Sequence, residues 1–148
     1  MIDSLSLIGL AVDAALVVLI LIVQLIIYPS FLYYNRNNLV SWHNKYTGKI
    51  AVIVGPLMVI QLLLAVYTVV TGGLYMIGTI YLVFVLSTWV TTALIFVPLH
   101  KKVTQNTHTD GDLRSLVSKN WIRVVLWVII LCITVLKLNI LQLFSFYN

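Results

Sequence analysis

The sequence predicts an all-α integral membrane protein: a four-helix bundle, up-down-up-down, with both termini facing outward. Three observations predict it. Mean hydropathy is +1.07 and only 9% of residues are charged, against about 25% in an ordinary soluble domain. No Asp, Glu, Lys or Arg occurs between Lys49 and Lys101, a stretch long enough for two spans of about 20 residues and a turn. Polar or proline-containing breaks then divide the 148 residues into four apolar runs, which leaves a single transmembrane domain over residues 1–148.

The first span is expected over about residues 5–28, ending at Pro29, with Asp13 and Gln24 inside it. The N-terminus has Asp3 but no basic residue before Leu10, and no small-residue cleavage pattern follows the apolar run. It therefore reads as a retained helix and not as a signal peptide. After the polar turn Tyr33–Asn38, Ser41 is a plausible N-cap for a second span over 41–70, which contains Gly55-Pro56 and a predicted kink. Thr71-Gly72-Gly73 reads as a tight turn into a third span over 74–102. A polar loop over 104–111 then leads to a fourth span over 112–144.

Charge sets the expected orientation. Arg36, Lys45 and Lys49 flank the first loop, and Lys101, Lys102, Arg114 and Lys119 flank the third, while the second turn and both termini lack Lys and Arg. Under the positive-inside rule both basic loops are cytoplasmic, which suits a bacterial inner membrane. The net charge of +5 is thus a topology signal and no sign of nucleic-acid binding, since the aromatic-basic interleaving of RNA-binding proteins is missing. One cysteine, Cys132, excludes a disulfide framework and a Cys-based zinc site within the chain.

Polar residues recur at helical spacing, so each span has one polar face that lipid will not solvate. These faces are Asp13, Gln24 and Tyr28; His43, Tyr46 and Gln61; Trp89, Thr92, Phe96 and His100; and Asn120, Arg123 and Trp127. Arg123 and Lys137 lie about 21 Å apart along their helix, and Asp13 lies about 22 Å from Tyr28. If Tyr28 and Arg123 share a depth, Asp13 and Lys137 meet in the outer half as an ion pair, with Gln61 beside them.

The segments Tyr28-Pro29-Ser30-Phe31, Trp42-His43-Asn44-Lys45-Tyr46, Val97-Pro98-Leu99-His100 and Asn120-Trp121-Ile122-Arg123 with Trp127 occur in that order. This set resembles small bacterial four-helix integral membrane proteins of unknown function, themselves distantly similar to the anthrone oxygenase-like family. The resemblance implies the four-helix fold and action on a hydrophobic aromatic substrate with oxygen, without a tightly bound metal or flavin. The positions matching the recurrent polar pattern are His43, His100, Asn120, Arg123 and Trp127.

The residues support related chemistry on their own terms. His43 or His100 can act as a general base towards a phenol or carbon acid. Arg123 can stabilise the anion that results, Asn120 can orient either group, and Trp127, Tyr46, Tyr28 and Phe96 can line the substrate site. The leading expectation is a cytoplasm-facing polar pocket that binds or oxidises a small lipophilic molecule, aromatic or quinone-like.

Other readings stay open. His, Trp, Tyr and Arg also serve as interfacial anchors, and the chain then is a scaffold, a partner subunit or a small transporter. His43 and His100 can alternatively be a ligand pair for haem or a metal ion, although no carboxylate or third histidine completes a hard-metal site nearby. His108, between Thr107 and Thr109, reads as a solvated loop residue. Membrane lipid is an expected partner and a homo-oligomer is compatible with the lipid-facing surfaces, although no G-x-x-x-G motif occurs.

Overall fold

A computed structural model describes residues 4–71 and 75–147. It places four helices long and apolar enough to cross a membrane: α1 (Ser4–Tyr33), α2 (Arg36–Thr71), α3 (Met76–Thr104) and α4, which is Asp110–Tyr147 in full. The expected Gly72-Gly73 turn lies outside the described residues.

α1 does not stop at Pro29. It passes through a π-helical stretch, Val23–Ile27, and continues beyond the proline. α3 does the same through Thr92–Phe96 ahead of Pro98. Proline lacks the N–H that would bond the carbonyl four residues earlier, and its ring crowds that carbonyl. Widening the preceding turn relieves the crowding, and the N–H groups of Tyr28 and Val97 reach back to the Val23 and Thr92 carbonyls.

The bulges also correct helical phase. Leu16 and Tyr28 are twelve residues apart, so an ideal helix would turn them about 120° from each other. One extra residue in the bulge absorbs about 100° of this, and Leu16, Ile20, Gln24 and Tyr28 all face inward. In α3 the same shift aligns Thr88 with Phe96, eight residues apart and about 80° from each other on an ideal helix, and both are buried.

α2 begins at Arg36, ahead of the expected Ser41, because Asn35 supplies the cap: its Oδ1 accepts from the Asn38 N–H at 3.0 Å. The helix then runs unbroken through Pro56. α3 ends in a Schellman arrangement. The Thr107 N–H bonds the Lys102 carbonyl at 2.9 Å and the Asn106 N–H bonds Val103 at 3.1 Å, with Asn106 in the left-handed region (φ 57). A capping box starts α4. The Asp112 N–H donates to Thr109 Oγ1 at 3.2 Å, and the Thr109 N–H donates to Asp112 Oδ2 at 2.9 Å.

The connections α1–α2 and α3–α4 meet. Arg36 Nε donates to Asn106 Oδ1 and Nη2 to the Asn106 carbonyl, both at 2.7 Å, with a further bond to the His108 carbonyl at 3.2 Å. This marks one loop end of the bundle. His108 is not solvated as expected but is buried there, 5% exposed, with no partner on Nδ1. Burial and the Arg36 cation push its imidazole below the usual pKa of 6.5, and Asp112 and Asp110 only partly offset this.

Away from the loops, one residue from each helix meets around Asp13. The fully buried carboxylate accepts from Gln61 Nε2 and Thr134 Oγ1, both at 2.6 Å, and from Tyr81 OH at 3.1 Å to each oxygen. Lys137 belongs to the same layer: it donates to Thr68 Oγ1 at 3.3 Å, and its charge acts on Asp13. The carboxylate takes these hydrogen bonds from three neutral donors, Gln61, Tyr81 and Thr134, with the Lys137 charge acting on it as well.

Candidate functional site

Nearer the loop end, the polar faces of all four helices converge. The π-bulge of α1 and Pro29 set Tyr28 inward, and the bulge of α3 with Pro98 does the same for Phe96 and His100. Tyr28 OH lies 2.8 Å from His100 Nε2. His100 Nδ1 lies 2.7 Å from His43 Nε2, and His43 Nδ1 lies 3.3 Å from Thr104 Oγ1. These four side chains form a hydrogen-bonded row from a buried phenol to an exposed threonine.

The row has two polarities. If Tyr28 donates to His100, each later group can donate onward to Thr104. If Thr104 donates, every bond reverses and the phenol hydrogen is released towards a ligand. Switching between them moves one proton along the row, which suits the tautomerism of imidazole.

Arg123 closes the buried side. Its Nε donates to Asn120 Oδ1 at 3.0 Å and its Nη2 approaches Tyr28 OH at 3.4 Å. Asn120 is held in turn: its Nδ2 donates to Gln24 Oε1 at 2.9 Å, and Gln24 Nε2 donates to the Val117 carbonyl at 3.2 Å. The guanidinium lies 4.0 Å over the Phe96 ring and 5.8 Å from that of Trp127, within cation–π range. Trp127 Nε1 reaches Gln61 Oε1 at 3.5 Å, a long bond that links this cluster to the Asp13 layer.

A cavity of about 570 Å³ adjoins the cluster, within the usual 300–1,000 Å³ of small-molecule sites. Its far wall is apolar, with Leu16, Ile20 and Val23 from α1 and Met58 from α2. Tyr28, His43, His100 and Arg123 provide its polar end. The exposed residues along its lining, Ala51, Val97, Lys101 and Thr104, all belong to α2 and α3, so the mouth lies between those helices. Gly55 sits on the lining, and a Cβ built there meets nothing within 4 Å.

Compared with protein-family models, curated proteins and solved structures, the chain matches none of them. Its site must be read from its own geometry.

That geometry brings together His43, His100, Asn120, Arg123, Tyr28, Phe96 and Trp127. Tyr46 joins them at the cavity wall, packed edge-on to Phe31 with ring centroids 6.0 Å apart. Trp42 and Trp121 lie outside the cluster, both exposed. Three contributors had no assigned role from sequence: Gln24, Thr104 and Thr92. Gln24 shares the Asp13 stripe, which was its only signal. Thr104 lies four residues beyond His100 on the same helix face, a spacing that could have found it. Thr92 lines the cavity with its buried hydroxyl unpartnered.

The histidine pair does not fit axial haem or tetrahedral metal ligation as it stands. Two nitrogens bound tetrahedrally to one ion at about 2.0–2.1 Å stand roughly 3.3 Å apart, whereas His43 Nε2 and His100 Nδ1 are 2.7 Å apart, at hydrogen-bond distance. No group of three or more metal-ligating side chains occurs among the described residues.

Proposed function

We propose that this chain is a multi-pass membrane protein that binds a small lipophilic molecule with an aromatic or quinone-like head, and that it acts on that head as an oxidoreductase-like enzyme. The observation that carries this reading is the cavity itself: it opens between two apolar helices and ends on Tyr28, His43, His100 and Arg123. A mouth of that kind, apolar at Ala51 and Val97 and polar at Lys101 and Thr104, suits an amphipathic ligand dissolved in lipid.

The up-down-up-down order is supported by the Asp13 layer, which joins early residues of α1 and α3 to late residues of α2 and α4. The seven basic residues around the two joined loops favour a cytoplasmic loop end and outward termini in a bacterial inner membrane. The polar end of the cavity then faces the cytoplasmic half.

The chemistry follows from the row of groups. A hydroxyl on the ligand gives its proton to Tyr28 or His100, and the row passes a proton to Thr104 at the mouth. Arg123, held by Asn120 and Gln24, stabilises the oxyanion in a site shielded from water. With a hydroquinone, transfer of two electrons and two protons to dioxygen would yield quinone and hydrogen peroxide.

Quenching of tryptophan fluorescence by a short-chain quinone, measured on purified protein, tests binding through Trp127. Gly55→Leu places a side chain in the cavity without touching the polar cluster, so it is expected to abolish quenching while the helices remain folded. Saturable quenching that Gly55→Leu leaves unchanged would rule the cavity out as the site. Oxygen uptake with the corresponding hydroquinone, lost in His100→Ala, separates oxidation from binding alone.

A further inference from the structure

We infer that the ligand of this cavity is held as an oxygen anion, an ionised hydroxyl or carboxyl on an apolar body, with Arg123 as its counter-charge. The inference deepens the binding reading above and rests on it.

Arg123 is only 9% exposed and lines the cavity. A buried guanidinium is costly unless an anion compensates it, and among the described residues no carboxylate is bonded to Arg123. The whole sequence has four acidic residues: Asp3, Asp13, Asp110 and Asp112. Asp112 is bound to Lys102 at 2.7 Å. Asp110 lies thirteen residues before Arg123 on α4, about 20 Å along the axis. Asp13 is engaged by Thr134, eleven residues beyond Arg123 and about 16 Å away by the same rise. Asp3 precedes the described residues, ten residues before Asp13 in the sequence.

The partners that Arg123 does have are neutral: the Asn120 amide, the Tyr28 hydroxyl and two aromatic faces. Its bonds use Nε and Nη2, which leaves the Nη1 donors for a ligand. The other titratable groups on the lining are Tyr28 from α1, His43 and Tyr46 from α2, and His100 and Lys101 from α3. None of these is an anion at neutral pH, and Lys101 adds a second positive charge at the mouth. An anionic head therefore completes the charge balance, and the apolar walls take its tail.

A carboxylate and a phenolate share this chemistry, and the test separates them. The probes are dodecanoate against dodecanol, and a dodecyl-substituted nitrophenol against its methyl ether, in the same detergent. The ionisable member of at least one pair is expected to bind about tenfold or more tightly than its neutral analogue. Nitrophenolate absorbance is expected to persist to a pH about one unit or more lower when the phenol is bound than when it is free. Arg123→Lys keeps much of this preference, and Arg123→Gln removes it.

Preference for dodecanoate points to a fatty carboxylate, and preference for the nitrophenol points to an aromatic head. Equal binding of ionised and neutral partners overturns the anion while leaving the binding site intact. Failure of every probe and of the quinone overturns both. If Arg123→Gln does not fold, the absorbance shift in the unaltered protein decides the matter alone.

Discussion

Asp13 shows how a single side chain can tie four helices together. Its carboxylate is fully buried and collects donors from Gln61, Tyr81 and Thr134. Truncation in Asp13→Ala strands all three, and an unsatisfied buried donor costs about 1–3 kcal/mol. Groups in a membrane find other partners when the bundle loosens, so the expected net loss is about 1–3 kcal/mol for the set. Unfolding in mixed micelles, followed by circular dichroism, reads this directly. Asp13→Asn keeps an acceptor and is expected to cost less. The charge of Lys137 is tested by the cycle with Lys137→Met, which is expected to cost less in the Asp13→Asn background, with a coupling of about 0.5 kcal/mol or more. Strict additivity would mean that Lys137 has no electrostatic role at Asp13. Sequence spacing located Asp13, Gln61 and Lys137 in one layer. It did not find Tyr81 and Thr134, because a Tyr or Thr in an apolar run looks like an ordinary filler until a carboxylate is seen to face it.

The helices were legible as apolar runs, but their internal irregularities were not. Pro29 is ordinarily a stop signal, and the expected end of the first span there follows that rule. The structure instead carries α1 onward through a bulge, and repeats the device at Pro98. A sequence signal does exist: Leu25-Ile26-Ile27-Tyr28-Pro29 and Leu94-Ile95-Phe96-Val97-Pro98 share the pattern L-I-x-x-P. Both bulges sit where polar side chains must be turned inward, which connects them to the site.

The loops hold a second element-scale feature, the Arg36 clamp on Asn106 and His108. His108 has a lowered pKa in the folded chain, so the unfolded chain binds its proton more readily. Stability from this group is complete above pH 6.5 and is lost as the pH falls below 6.5 towards the folded value. Hydrogen exchange of the backbone around 106–108 is expected to accelerate over that window, with α2 and α4 unaffected. His108→Gln, which cannot titrate, is expected to flatten the dependence. An unchanged slope would assign it to another group, and Arg36→Ala is expected to raise exchange there at every pH.

At the scale of the molecule, hydropathy along the chain, with its polar and proline-containing breaks, predicted four apolar helices, and the described residues include four. Facing stripes also predicted which residues gather at the loop end, since a 3.6-residue period leaves a polar side chain few alternatives to the bundle interior. The cavity was beyond sequence reading, because its volume depends on how α2 and α3 separate. Orientation rests on charge. Of the nine Lys and Arg, Arg123 and Lys137 lie inside the bundle, and Arg36, Lys45, Lys49, Lys101, Lys102, Arg114 and Lys119 flank the two joined loops. Translocating so many cations outward is opposed by the membrane potential, by about 2.3 kcal/mol per charge per 100 mV. The loop end is therefore expected in the cytoplasm. In a Cys132→Ser background, a membrane-impermeant maleimide added to intact cells is expected to label Ser4→Cys but not Asn37→Cys or Gln105→Cys. Permeabilised cells are expected to label all three. The reverse pattern in intact cells would turn the molecule over, and the mouth between α2 and α3 would then receive its ligand from the outer leaflet.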